Sequence, residues 1–125
     1  MNGSVPEFKP LRVLIVEDEA LVGMLIEDNL VDMGHEVAAM ASRLKPALEL
    51  ARNGSFDVAI LDVNLDGEPS YPIADVLMER GIPVIFASGY GPGGLDSNYA
   101  GTPILTKPFI AADLEKALLS VTGRL

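Results

Sequence analysis

Five polar side chains, Glu17, Asp18, Asp62, Ser88 and Lys107, each stand at or just past the end of a short apolar run. Taken singly, each is an ordinary residue where a strand passes into a loop. Gathered at one edge, they make three acids, one hydroxyl and one ammonium in a shared crevice. Three carboxylates within a few ångströms repel one another, which raises pKa values or recruits a cation. Oxygen-only ligands with room left for water suit Mg²⁺ or Mn²⁺, which a few carboxylates and phosphate oxygens hold well. A carboxylate beside such an ion can accept a phosphoryl group by nucleophilic attack, giving an acyl phosphate. Lys107 then serves as a point charge and Ser88 as a hydrogen-bond donor to the phosphoryl oxygens. Metal, lysine and hydroxyl together neutralise the charge that develops in the transfer.

This chemistry depends on the strands that carry the five residues. Apolar runs occur at Leu11–Val16, Val37–Ala41, Val58–Leu61, Val84–Ala87 and Ile104–Leu105. The first, third and fourth are nearly continuous, as in strands buried on both faces. The second is Ala-rich and the fifth very short, which suits edge strands. Between them, Val22, Leu25, Ile26, Leu30 and Met33 form a helical stripe that Gly34 should stop, with Glu19, Gly23, Glu27, Asp28 and Asp32 opposite. Leu44, Ala47, Leu48 and Ala51 mark a second helix ending at Asn53-Gly54. Ile73, Val76 and Leu77 mark a third, closed by Gly81 and Pro83; Ala111, Leu114, Leu118 and Val121 mark the last. Gly89–Thr102, with five glycines and a proline, reads as a mobile connection with room for at most a short helix near Leu95–Ala100. Fivefold strand–helix alternation predicts an α/β fold: a five-stranded parallel sheet with helices on both faces. The most apolar strands belong in the middle, giving the order 2-1-3-4-5. Ligands of such sheets bind outside the carboxyl ends of the strands, where the order reverses.

Composition narrows the alternatives. The chain has 125 residues, with 9 Lys+Arg against 18 Asp+Glu, a net charge of −9. That length and an apolar share of 49% suit one domain with one core, over 11–123, after a loose arm at 1–10 and with no output domain. The absence of cysteine excludes disulfide scaffolds, zinc–thiolate sites and thiol catalysis. The acidic balance argues against nucleic acid or an anionic membrane as partner. No run approaches the ~18 apolar residues of a membrane span. Nothing in MNGSVPEFKP resembles a signal peptide, so a cytoplasmic location is expected.

Three near-matches are declined. Asp62-Val63-Asn64-Leu65-Asp66-Gly67 opens like an EF-hand calcium loop, but its twelfth position is Ile73 and a strand precedes it. Gly89, Gly91 and Gly94 spell a dinucleotide fingerprint that Pro92 interrupts and no full helix follows. His35, the sole histidine, lies just past a helix stop and is expected to face solvent or cap the helix.

The segments Leu14-Ile15-Val16-Glu17-Asp18-Glu19, Leu61-Asp62-Val63-Asn64, Ala87-Ser88-Gly89 and Lys107-Pro108-Phe109, in this order, resemble a response-regulator receiver domain of the CheY-like family over residues 10–123. The resemblance implies a flavodoxin-like, doubly wound fold and a role in two-component signalling. Asp62 would be the phospho-acceptor, with Glu17, Asp18, Asp62 and the Asn64 backbone carbonyl on Mg²⁺. Ser88 and Lys107 would hold the phosphoryl group, and the Lys107–Pro108 peptide would be cis. A histidine kinase or phosphotransfer protein would donate the phosphoryl group. The signal would leave through contacts with an unknown downstream protein, or the chain would act as a phosphate sink. A weak homodimer is left open.

One position departs from the family. Three residues before the lysine, where an aromatic switch residue is usual, stands Ile104. Phe86-Ala87-Ser88-Gly89-Tyr90 resembles instead the subgroup with a Phe-Ala-Thr-Gly signature, often single receivers beside unorthodox histidine kinases. Switching would then rest on the Gly89–Gly94 loop, with Tyr90, Ile104 and Pro108 as modulators. The alternatives are a receiver-fold binding module that does not switch, and an aspartyl-phosphatase. The latter needs a second acid where Asn64 stands, so no enzymatic activity is expected beyond assistance to the chain's own phosphorylation and dephosphorylation.

Overall fold

A computed structural model describes residues 9–123. Residues 1–8 of the expected N-terminal arm lie outside the described residues. In chain order the elements are β1 (Arg12–Val16), α1 (Ala20–Asp32), β2 (Glu36–Ala41), α2 (Leu44–Asn53), β3 (Val58–Asp62), β4 (Asn64–Leu65), β5 (Glu68–Pro69), α3 (Tyr71–Glu79), β6 (Val84–Ser88), β7 (Ile104–Thr106) and α4 (Ala111–Thr122). Five parallel strands form the main sheet in the order β2-β1-β3-β6-β7. With the small β4–β5 hairpin set aside, this is the predicted 2-1-3-4-5 order, and the two weakest apolar runs are the edges.

Alternation along the strands divides the core into two layers. Val13, Ile15, Ile60, Ala87 and Leu105 pack with Ile26 and Leu30 of α1 and Leu114 and Leu118 of α4. Leu14, Val16, Leu61 and Phe86 pack with Ala47 and Ala51 of α2 and Ile73, Ala74 and Leu77 of α3. Both faces of the central strands are therefore covered, which is why those runs are apolar without a break. Each such Leu or Ile contributes about 1.5–3 kcal/mol by leaving water.

The structure corrects three expectations. Among the described residues there are four α-helices where fivefold alternation implies five: the connection between β6 and β7 forms two 3₁₀ turns, Gly91–Gly94 and Ser97–Tyr99, the second of them within the Leu95–Ala100 stretch that had room for at most a short helix. Its glycines disfavour a longer helix. On α1, Val22, Ile26, Leu30 and Met33 face the core as predicted, but Gly23 is buried and Leu25 is 48% exposed, so those two positions exchange places. A Cβ at Gly23 would lie 3.2 Å from Met40 Cε, so the missing side chain lets this turn descend onto the sheet. His35, finally, does not face solvent. It is buried, and its Nδ1 accepts the Leu11 N–H at 3.0 Å, tying the start of β2 to the start of β1.

Burial lowers the His35 pKa, and Glu115 only partly opposes this. The neutral ring is the one that can accept from Leu11, so His35 stabilises the fold fully above its unfolded pKa of about 6.5, and that contribution is lost as pH falls toward the lowered folded value. His35→Ala should cost about 1–3 kcal/mol at pH 7.5 by leaving the Leu11 N–H unpaired. Urea unfolding at pH 7.5 and 5.5 should show the gap between the two proteins shrinking at the lower pH; an unchanged gap would count against this role.

Candidate functional site

Sheet register brings the predicted side chains to one rim. Val16 pairs with Leu61, so Glu17 stands level with Asp62; Asp62 pairs with Ala87, and Ser88 pairs with Thr106, one residue before Lys107. Continuing the two-residue alternation, Glu17, Asp62 and Lys107 fall on the α1/α4 side and Ser88 on the α2/α3 side. The contacts agree. Lys107 Nζ lies 2.9 Å from Glu17 Oε1 and 3.1 Å from Asp62 Oδ2. Ser88 Oγ accepts instead from the Tyr90 N–H at 3.0 Å.

The three carboxylates offer oxygens that all lie within 4.8 Å of one another. Glu17 is buried, Asp62 is buried, and Asp18 is more open to solvent. Burial, followed by the neighbouring Asp62 carboxylate, pushes the Glu17 carboxyl up to about 7 against the pull of Lys107. Glu17 Oε2 accepts the Glu19 N–H at 3.2 Å, whereas the buried Oε1 has only the ion pair with Lys107 and no hydrogen bond of proper geometry. For Asp18, burial works upward but is outweighed by the Asp62 side chain and the Asp66 N–H, leaving it below the usual range. For Lys107, burial works downward and is outweighed by Glu17 and Asp62, leaving it raised and cationic.

A crevice of about 990 Å³ opens over these groups, lined among others by Asp18, Asp62, Asn64, Ser88, Tyr90 and Lys107. Asn64 donates its N–H to Asp62 Oδ1 at 3.2 Å, and its side-chain oxygen accepts the Gly67 N–H at 2.7 Å. Tyr90 is 87% exposed at the mouth. Pro108 also lines the crevice, and the Lys107–Pro108 peptide is cis. Ile104 stands apart: it pairs with Phe86 in the sheet and packs against the α2/α3 core.

Two contributors were named in the sequence without the part they play in the site. Asp66 and Gly67 form the two-residue turn of the β4–β5 hairpin, both at positive φ (53° and 90°). An Asp-Gly pair is the usual sequence signal for such a turn. It presents the Asp66 N–H to Asp18 Oδ2 at 3.0 Å, while Asp66 Oδ2 pairs with Arg43 at 2.6 Å. Gly94 is the other. A Cβ there would lie 2.6 Å from Ser88 Oγ, so glycine is what lets this backbone close over the hydroxyl.

An all-oxygen donor set, with a buried carboxylate oxygen that lacks a hydrogen bond, fits a small hard cation such as Mg²⁺ or Mn²⁺. The model of the response regulator receiver domain matches residues 13–119. The chain belongs to this family. The solution structure of SdrG from Sphingomonas melonis Fr1 is 39% identical, with a TM-score of 0.82 over 90% of this chain and 96% of that one. The BeF3-activated conformation of SdrG from Pseudomonas melonis Fr1 is 38% identical, with a TM-score of 0.77 over 89% and 95%. The transcriptional regulatory protein PdtaR of Mycobacterium tuberculosis is 32% identical over 119 residues, 92% of this receiver and 58% of PdtaR. The receiver spans about half the length of the curated relatives it matches. The receiver domain of the sensor histidine kinase PA1611 from Pseudomonas aeruginosa PAO1, at 22% identity and a TM-score of 0.75 over 92% and 99%, shares the fold; a magnesium ion is coordinated in that protein's active-site cleft. No helix among the described residues is long and apolar enough to cross a membrane.

The raised Glu17 pKa has a consequence for stability without metal. A carboxyl whose folded pKa is raised favours folding when protonated, so its contribution is lost as pH rises from about 4.5 to about 7. In EDTA, Glu17→Gln should gain on the order of 2–3 kcal/mol relative to wild type between pH 5 and pH 8. Urea unfolding at both pH values checks this, and His35 cancels because both proteins carry it.

Proposed function

We propose that this receiver is a phospho-accepting response regulator of two-component signal transduction, modified on Asp62 by a histidine kinase or phosphotransfer protein. The observation that carries this reading is the Lys107 ammonium 3.1 Å from Asp62 Oδ2, with Glu17 and Asp18 oxygens gathered around the same carboxylate. An Asp62 oxygen attacks the phosphorus of a phosphohistidine; the new P–O bond forms as the P–N bond breaks, and the imidazole takes up a proton. Glu17, Asp18 and Asp62, with the Asn64 backbone carbonyl, would hold Mg²⁺ or Mn²⁺. That ion supplies charge neutralisation at the phosphoryl oxygens when bound. Lys107 offsets the remaining charge, and the Ser88 hydroxyl, accepting from Tyr90, keeps its proton to donate to a phosphoryl oxygen.

Asn64 and Tyr90 flank the path by which water reaches the acyl phosphate and set its lifetime. Asn64 also speaks against a phosphatase acting on other molecules, since that chemistry needs an acid in its place. The chain therefore assists its own phosphorylation and dephosphorylation without acting as an enzyme on other substrates. It works in the cytoplasm and signals through protein contacts or drains phosphoryl groups as a sink. The likeness to SdrG, known in a BeF3-activated conformation, supports a switching receiver over a binding module of the same fold.

Acetyl phosphate with Mg²⁺ should add one phosphoryl group to the wild type and none to Asp62→Asn, read by intact mass. An adduct that survives the substitution, or none in wild type, would sink the reading. Lys107→Ala should slow the modification by about 10²–10³-fold, the usual loss for one donor aimed at developing charge.

A further inference from the structure

Tyr71, the first residue of α3, contacts the β6–β7 connection in a way that the phosphoryl chemistry does not use. Its hydroxyl accepts the Asp96 N–H at 2.7 Å and reaches the Gly94 carbonyl at 3.5 Å as donor. A phenol can play both parts at once. Its ring stacks on Tyr99, with centroids 4.3 Å apart and an interplanar angle of 6°. Both rings meet Phe86 edge-on, at 5.8 and 5.9 Å. Phe86 is fully buried in β6, two residues before Ser88. One turn along α3 from Tyr71, Asp75 accepts the Tyr99 hydroxyl at 2.6 Å, and this bond pushes the Tyr99 phenol up to about 12. Asp96 in turn caps the Ser97–Tyr99 turn through the Asn98 N–H at 3.0 Å.

We propose that Tyr71 is a positioning residue that holds Gly94 against the Ser88 hydroxyl, and that the Tyr71–Tyr99 clamp carries the state of the phosphoryl site to the Asp96–Tyr99 surface. The proposal rests on Asp62 being the phospho-acceptor. Gly94 is the joint: a Cβ on it would stand 2.6 Å from Ser88 Oγ, so only glycine fits there, and its carbonyl is in reach of Tyr71. When Ser88 turns toward a phosphoryl group on Asp62, Gly94 gains room, and the Tyr71 hydroxyl shares any shift with Asp96. The stacked ring passes it to Tyr99 and the Asp75 bond. Ile104, a half-buried aliphatic side chain packed against the core, has no polar atom with which to take part. A coupling built on α3 and the β6–β7 connection therefore stands where the family usually relies on an aromatic residue in β7.

The test is amide NMR on the full chain with Mg²⁺ and beryllofluoride, for wild type, Tyr71→Phe and Tyr99→Phe. Tyr71→Phe keeps the stacked ring and removes only the hydroxyl. In wild type, signals of Asp62, Ser88 and Asp96–Tyr99 should all move. In Tyr71→Phe, those of Asp62 and Ser88 should still move, while the shifts at Asp96–Tyr99 shrink by roughly a factor of two or more. If wild type does not respond at Asp62 and Ser88, the phospho-acceptor reading fails. If it does, and Tyr71→Phe passes the same shifts to Asp96–Tyr99, that reading stands and the clamp is overturned. Should Tyr71→Phe not fold, Tyr99→Phe, which breaks the Asp75 bond alone, must show the reduced response at Ser97–Tyr99 for the clamp to survive.

Discussion

The site is organised around one ammonium group held between two buried carboxylates. Glu17 and Asp62 come from neighbouring strands and end up buried side by side, an arrangement that repulsion and lost hydration both oppose. Lys107, arriving from the edge strand β7, lies within 3.1 Å of both and offsets part of that cost. It can do so only because the parallel register sets the ends of β1, β3, β6 and β7 at one height. The pairing is incomplete even so, since Glu17 Oε1 has no hydrogen bond and its carboxyl stays raised. A site in this state still favours a further cation.

The pleat splits the rim into two halves with different work. On the α1/α4 side stand Glu17, Asp62 and Lys107, the groups that manage charge. On the α2/α3 side stands Ser88, enclosed by Tyr90, Gly94 and, one layer out, the aromatic cluster of Phe86, Tyr71 and Tyr99. Asp62 ends the central strand β3, which pairs with β1 on one side and with β6, the strand of Ser88, on the other. On the proposed reading, a phosphoryl group there would meet a charged wall on one side and an adjustable, hydrogen-bonded wall on the other. The net charge of −9 says little about this balance. What counts is the local set of three acids and one lysine, which the proposed divalent cation would offset and the proposed phosphoryl group would make negative again.

Much of the architecture was legible in the sequence because its cause is local. Unbroken apolar runs mark strands covered on both faces, and their relative strength ordered the sheet. Polar residues at the ends of those runs named Glu17, Asp18, Asp62, Ser88 and Lys107. Periodicity read α1 less well, because it treats Gly23 as a gap, whereas here the missing side chain is what seats the helix on Met40. His35 was misplaced for a similar reason: nothing beside it in sequence reveals that Leu11, 24 residues earlier, needs its ring nitrogen.

The Gly89–Thr102 connection marks the boundary between the two kinds of information. Its glycines and proline correctly exclude a long helix, and the Asp66-Gly67 turn was equally open to a local reading. That Tyr71 would anchor the connection, that Gly94 would lie against Ser88, and that Tyr99 would bond to Asp75 depends on α3 packing beside β6. Hydrogen bonds and ring contacts between residues about 25 positions apart leave no period or spacing behind. The sequence alone determined which groups are available and which strand ends carry them, since side-chain alternation and hydrophobicity act between near neighbours. Only the tertiary structure decided which groups touch, because register and helix docking bring together atoms that the chain keeps apart.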